Sequence, residues 1–387
     1  MTLGRRHFER GIRMRDPQDN NPEQINRDEV FEDKPFEPVK ITRRKLFTLM
    51  AGAGLIAAVP KFPVADALAA TSVGNADLAR EVVKNLQEFT KSKKNSLGMD
   101  TPQGGNAAHK PFPNNVPAEP FEHAFDMPIV GFVRGDDPAV KALKINVAPF
   151  HMTPLELFKK VHPDIPCTDA EITVISWVMP LQEKVKAEQR ALPDVYPSRR
   201  WGKGRTFGEI SSDRSRLVIL ELLSSKGYYA ASAAVTTHFK IIPQSAYGFA
   251  STWSERHYAY CAGLGTFGLS DGLITPVGKA HRCASAIVKA RLPVTPRPYL
   301  SHRDYCLYFS SGGEQCGACV KHCPAKAIQT YKEGIPGRSK VLCFKYVTDV
   351  VTPYVKTKYP DNTAYTIYCG RCQVNVPCES CIPKARA

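Results

Sequence analysis

Nine of the twelve cysteines fall between Cys306 and Cys381, and two runs in that stretch decide what the C-terminal part can fold around. The first is Cys316-Gly-Ala-Cys319-Val-Lys-His-Cys323-Pro324. The second is CGRCQVNVPCESCIP, residues 369–383, which carries Cys369, Cys372, Cys378 and Cys381. With 387 residues, 43% of them hydrophobic, the chain can bury a core without a disulfide framework. C-x2-C pairs favour metal instead. Thiolates at this density select iron–sulfur or zinc. Bacterial ferredoxin runs read C-x2-C-x2-C-x3-C-P, with the last cysteine ligating the other cluster. The proline after Cys323 fits that pattern, and a zinc knuckle has no need of it. The expectation is two [4Fe–4S] clusters.

The ligands can be counted out. Gly313 stands where the first cysteine of the run belongs, and Cys306 is the available substitute. Cys306, Cys316 and Cys319 then need a fourth ligand from the tail, either Cys378 or Cys381. Cys378 is nearer the expected position, which Val376 occupies. Cys323 belongs with the pair Cys369 and Cys372, and Cys343 in KVLCFKYV completes that set. One tail cysteine is left over. The AKAI that follows Pro324 reads as the start of a ferredoxin helix.

The remainder of the chain divides by composition. Residues 1–41 are polar and aperiodic and read as disordered. Residues 42–70 read as a twin-arginine signal or anchor. Thr42-Arg43-Arg44 precedes an apolar run from Leu46 to Val59, too short to span a bilayer, and Ala67-Leu68-Ala69 offers a cleavage site. That route exports folded proteins, which suits clusters assembled before export, to the periplasm or the outer face of the cytoplasmic membrane.

Residues 71–170 form a helical and loop region. DLAREVVKNLQEFTKSKK has amphipathic helical spacing, and Thr153-Pro154-Leu155-Glu156 is a capping box. Residues 171–300 form a core. ITVISWVMPL reads as a strand buried on both faces, followed by a central helix capped at Ser212 or Asp213 and stopped by Gly227. Strand and helix in alternation suggest α/β, or α+β. Residues 301–387 are the ferredoxin-like domain. The net charge of +15 is scattered rather than gathered into a basic patch with aromatics, so nucleic acid is not an expected partner.

Cys261-AGLGTFG, then GLITPVGKAHRC, then CGACVKHCP and CGRCQ, resemble the corrinoid-dependent reductive dehalogenases and their relatives, the epoxyqueuosine reductases. The likeness covers about residues 170–381, and the leader favours the dehalogenases. It implies a nitroreductase-like, corrinoid-binding core with the two-cluster domain packed against it. Electrons would pass through the clusters to the cobalt of a corrinoid (cobalamin), which removes a halide from a small organic substrate.

The resemblance also implies an electron donor and a small membrane-anchor partner. Gly263, Gly265, Thr275 and Gly278 would approach the corrinoid, and Arg282 would face an anion. The family's tyrosine acid is missing: Gly208-Glu209-Ile210-Ser211 puts isoleucine there, and Ala250 and Ser251 replace an Asn-Asp pair. Phe249 falls near the aspartate acid of the epoxyqueuosine enzymes. Tyr247, His238 and Glu255 are the candidate replacement acids, Tyr247 first.

Overall fold

The computed structural model describes residues 75–98, 120–242, 245, 249–329, 337–359 and 368–384. The polar N-region, the twin-arginine segment and Tyr247 lie outside them. A four-stranded sheet in the order β1-β2-β8-β3 organises the core, with β1 Ile129–Arg134, β2 Ile172–Pro180, β3 Ala230–Ala231 and β8 His281–Lys289. All its pairings are antiparallel. The alternating α/β expectation therefore resolves to α+β.

The reason β2 reads as continuously apolar is visible in the layers. Ile175, Trp177 and Met179 face one core, which includes helix α1 (Ala76–Lys91) and residues of a long helix, α4 (Arg199–Ser225). Val174 and Val178 face a second core with Leu157 and Phe158 of helix α2 (Pro154–Val161) and Tyr258 of helix α5 (Glu255–Cys261). Alternate side chains go to opposite faces, and here both faces are covered. All nine residues of β2 are buried.

Local signals hold at several ends. Thr153 Oγ accepts from the Glu156 N–H at 3.1 Å, and Glu156 Oε2 accepts from the Thr153 N–H at 2.8 Å, so the capping box forms. Gly227 lies just past α4 at φ +80°, the left-handed stop that glycine permits. The start of α4 is a correction. Ser212 and Asp213 are mid-helix, and Ser198 is the cap, its Oγ accepting from the Trp201 N–H at 3.1 Å. Gly204 and Gly208 do not break the helix because they let it press close. A Cβ on Gly204 would come 3.2 Å from Leu181, and one on Gly208 3.2 Å from Phe125. That packing offsets an intrinsic cost of about 1 kcal/mol per glycine.

Between α4, α5 and β8 lies a buried polar network. Arg216, 1% exposed, pairs with Asp213 at 2.7 Å and with Glu255 at 3.0 Å, and Glu255 also accepts from Ser285. Burial pushes the Asp213 carboxyl up to about 7, partly opposed by Arg216. Between about pH 4 and pH 7 the folded chain thus keeps a proton that the unfolded chain has released. Stability from this group is greatest in acid and falls as pH rises through that window, by up to about 4 kcal/mol. Asp213→Asn is expected to flatten this dependence, measured by urea unfolding at pH 5, 6 and 7. A slope equal to that of the parent chain would contradict the assignment.

Candidate metal centre

The AGLGTFG and LITP segments form a small hairpin, β6 (Thr266–Phe267) paired with β7 (Leu273–Ile274). It provides an apolar floor for the cysteines: Leu269, Ile274, Ile328 and Val376 pack with Cys306, Cys319 and Cys378. Cys306 caps a single helical turn, α6 (Leu307–Ser310), and Cys319 sits on another, α7 (Ala318–Lys321). Cys306, Cys316, Cys319 and Cys378 together line one pocket. Cys316 is held at φ +76°, a left-handed conformation that costs a non-glycine residue on the order of 1 kcal/mol or more. Cys381 is exposed and does not line the pocket; its sulfur lies 3.6 Å from the Pro377 carbonyl oxygen.

The remaining four form a second group. Cys343, on helix α8 (Lys340–Tyr346), is close enough to Cys372 and Cys323 to feel their charge, and Cys369 likewise feels Cys372 and Cys343. Arg338 Nη2 lies 3.5 Å from the Cys343 sulfur, and the Ala327 N–H donates to the Cys323 sulfur at 3.3 Å. That last bond accounts for a second correction: AKAI starts no helix. Lys326 turns left-handed at φ +48°, the chain curls round the Cys323 sulfur, and Ile328 bridges to Arg338. Burial pushes the Cys319 and Cys369 thiols up to about 12. Metal binding would therefore have to displace protons from them.

Among the described residues, no three His, Cys, Asp or Glu side chains are arranged to hold a single metal ion. Thiols in this density suit iron–sulfur or zinc, and Cys306, Cys316, Cys319 and Cys378 ring a pocket.

The residues expected near a corrinoid lie close to this centre. Thr275 and Gly278 close a turn, with Thr275 Oγ donating to the Gly278 carbonyl at 2.7 Å. Gly278 has φ +81°, and a Cβ there would collide with the Glu379 backbone. A Cβ on Gly263 would strike the Pro296 carbonyl, and one on Gly265 the Ile274 carbonyl. Each glycine is thus required by the chain's own close packing.

Arg282, on β8, faces Glu209 of α4 with 3.9 Å between Nε and Oε2. Burial pulls its guanidinium down to about 10, yet 28% of the side chain remains accessible. The Nε atoms of Arg282 and Arg338 are buried without a hydrogen-bond partner. β3 pairs only with Val288 and Ile287, so among the described residues the outer edge of β8 from His281 to Ala286 has no strand partner. Arg256, an exposed residue, donates to the Asp271 carbonyl, and Arg338, Asp271, Cys283 and Cys372 all act on its charge.

The replacement acids fare differently. Glu255 is taken up by Arg216 and Ser285, and the His238 N–H donates to Thr236 Oγ at 3.3 Å. Phe249 stacks on Phe344, ring centroids 5.9 Å apart. Glu209 was not foreseen. It neighbours Ile210 in the sequence and pairs with Arg205 one helical turn away, a spacing legible once the helix is extended back to Ser198.

No protein-family model matches the chain, and no curated protein matches it in sequence. Among solved structures 14 chains match. One is a selenomethionine-labelled epoxyqueuosine reductase, 15% identical, with TM-score 0.37. Another is epoxyqueuosine reductase with a tRNA-Tyr epoxyqueuosine-modified stem loop, 16% identical, with TM-score 0.37. Each match covers 66% of this chain, which spans 62% of the other protein's length.

Proposed function

We propose that the chain is an exported, reductive dehalogenase-like oxidoreductase that carries electrons through two [4Fe–4S] clusters to a corrinoid. What supports the reading is that Cys306, Cys316, Cys319 and Cys378 line one pocket, with Cys323, Cys343, Cys369 and Cys372 gathered beside it. Cys316 is exposed, so the group holding it is the entry point for an external electron donor. The group holding Cys372 and Cys343 adjoins Arg338 and Arg256, and Arg256 acts in turn on the charge of Arg282. Orphaned guanidinium N–H groups there suit a ligand rich in acceptors, and the amide arms of a corrinoid are such acceptors. When bound, the corrinoid would supply a strongly reducing cobalt.

The chain's own residues would do the rest. Arg282 binds the departing anion, Glu209 holds the guanidinium in place, and the buried wall limits water. The proposed location is the periplasm or the outer membrane face, with a small membrane-anchor partner. No helix among the described residues is long and apolar enough to cross a membrane.

A second reading, an iron–sulfur electron carrier without corrinoid chemistry, is favoured by the glycines of AGLG and LITP-x-G, whose packing needs no cofactor. The test is anaerobic purification from the periplasmic fraction, with metal analysis and visible spectra before and after incubation with hydroxocobalamin. About eight irons per chain and a retained corrinoid band are expected. Eight irons with no corrinoid uptake would leave the carrier, and zinc in place of iron would remove both readings.

A further inference from the structure

Lys279 follows the Gly278 turn, and its surroundings are unusual for a lysine. The residue is 3% exposed. It lines the pocket formed by Cys306, Cys316, Cys319 and Cys378. Its Nζ lies 3.0 Å from Ser270 Oγ, and the Cys378 thiol is the neighbour that acts most strongly on its charge. Its backbone N–H reaches the Cys378 carbonyl at 3.0 Å and the Glu379 carbonyl at 3.1 Å, which ties the same residue to the tail at both ends. Cys372, of the second group, also acts on its charge. Among its described contacts no carboxylate is recorded, and an ammonium out of water needs a counter-charge. The thiolates of a loaded centre are the negative groups in reach.

We infer that Lys279 is the built-in counter-charge of the cluster held by Cys306, Cys316, Cys319 and Cys378, and that it raises the reduction potential of that cluster. The inference rests on the two-cluster reading proposed above. Reduction adds one electron to a cluster already surrounded by thiolates. A fixed positive charge favours the more negative, reduced form. At short range in a poorly solvated pocket the effect is little screened. Cys316, at the exposed end, thus belongs to a cluster that accepts electrons readily.

The experiment is an electron-paramagnetic-resonance redox titration of the full chain, loaded with iron and sulfide under anaerobic conditions. Lys279→Gln is expected to lower one of two midpoints by at least tenfold in the reduction equilibrium, about 59 mV for one electron. The other midpoint should move less, because Cys372 is only an electrostatic neighbour. Lys279→Arg, which keeps the charge, should restore most of the shift. A fully loaded Lys279→Gln chain with both midpoints unchanged overturns the inference.

If Lys279→Gln loses four irons while Lys279→Arg keeps them with a parent-like midpoint, the counter-charge is upheld. If both variants lose them, the side chain is only packing and the inference fails. Failure of the cluster reading itself is distinguishable, since the parent chain would then show no [4Fe–4S] signal at all.

Discussion

Cys378→Ala should leave about four irons per chain where the parent holds about eight, and Cys381→Ala should keep all of them. The two cysteines are three positions apart in the tail, and their sequence settings differ little. Their structural settings differ greatly. Cys378 is 8% exposed, packs with Cys306 and Cys319, and lines the pocket. Cys381 is exposed and outside it. Loss of one thiolate opens a coordination site on iron and admits water into a dry pocket. The matched variant Cys372→Ala should also remove about four irons, from the other group, so that Cys372→Ala combined with Cys378→Ala leaves almost none. Iron and acid-labile sulfide analysis reads the parent and all four variants. Equal iron in the Cys378→Ala and parent chains would break the grouping.

Gly278→Ala should be strongly damaging for a single added methyl. At φ +81° an alanine pays on the order of 1–2 kcal/mol for its backbone conformation alone. The added Cβ would also collide with Glu379 and Ser380 backbone, which cannot swing away as a side chain could. The tail must shift, and Cys378 is the adjoining residue. The expected result is a fall in melting temperature together with loss of the first cluster, about four irons. The family resemblance predicts a different outcome, in which Gly278 serves close approach to a corrinoid. In that case Gly278→Ala would impair corrinoid uptake and leave iron untouched. Iron content after reconstitution separates the two.

The sequence was most readable where a local signal has a single physical meaning. The Thr153 capping box and the Gly227 stop are both satisfied within a few residues of chain, and both form. The cap of the long helix was less readable. Ser212 and Asp213 look like a cap when three glycines precede them, because glycine usually weakens a helix. Leu181 and Phe125 reverse that inference by packing where a side chain would otherwise stand, and neither contact is local. The apolar run of β2 has the same ambiguity. It announces burial on both faces, but helices covering an antiparallel sheet and helices covering a parallel one leave the same pattern in a strand.

The cysteine arithmetic shows where the boundary falls. Spacing alone led to the expectation of two sets of four thiols with one left over, because C-x2-C-x3-C-P has too few ligands for one centre and the tail has too many. Which tail cysteine turns inward is decided by contacts across about a hundred residues. The Lys279 and Ala280 N–H groups hold the carbonyls of Cys378 and Glu379, and Gly278 leaves room for that strand of backbone. The pairing of Arg282 with Glu209 is likewise tertiary, since it joins β8 to the long helix α4. Composition and spacing could determine the kind of centre, because ligand chemistry is a property of residue type and order. Its closure and its surroundings are determined by backbone hydrogen bonds and packing between distant segments, which no local pattern records.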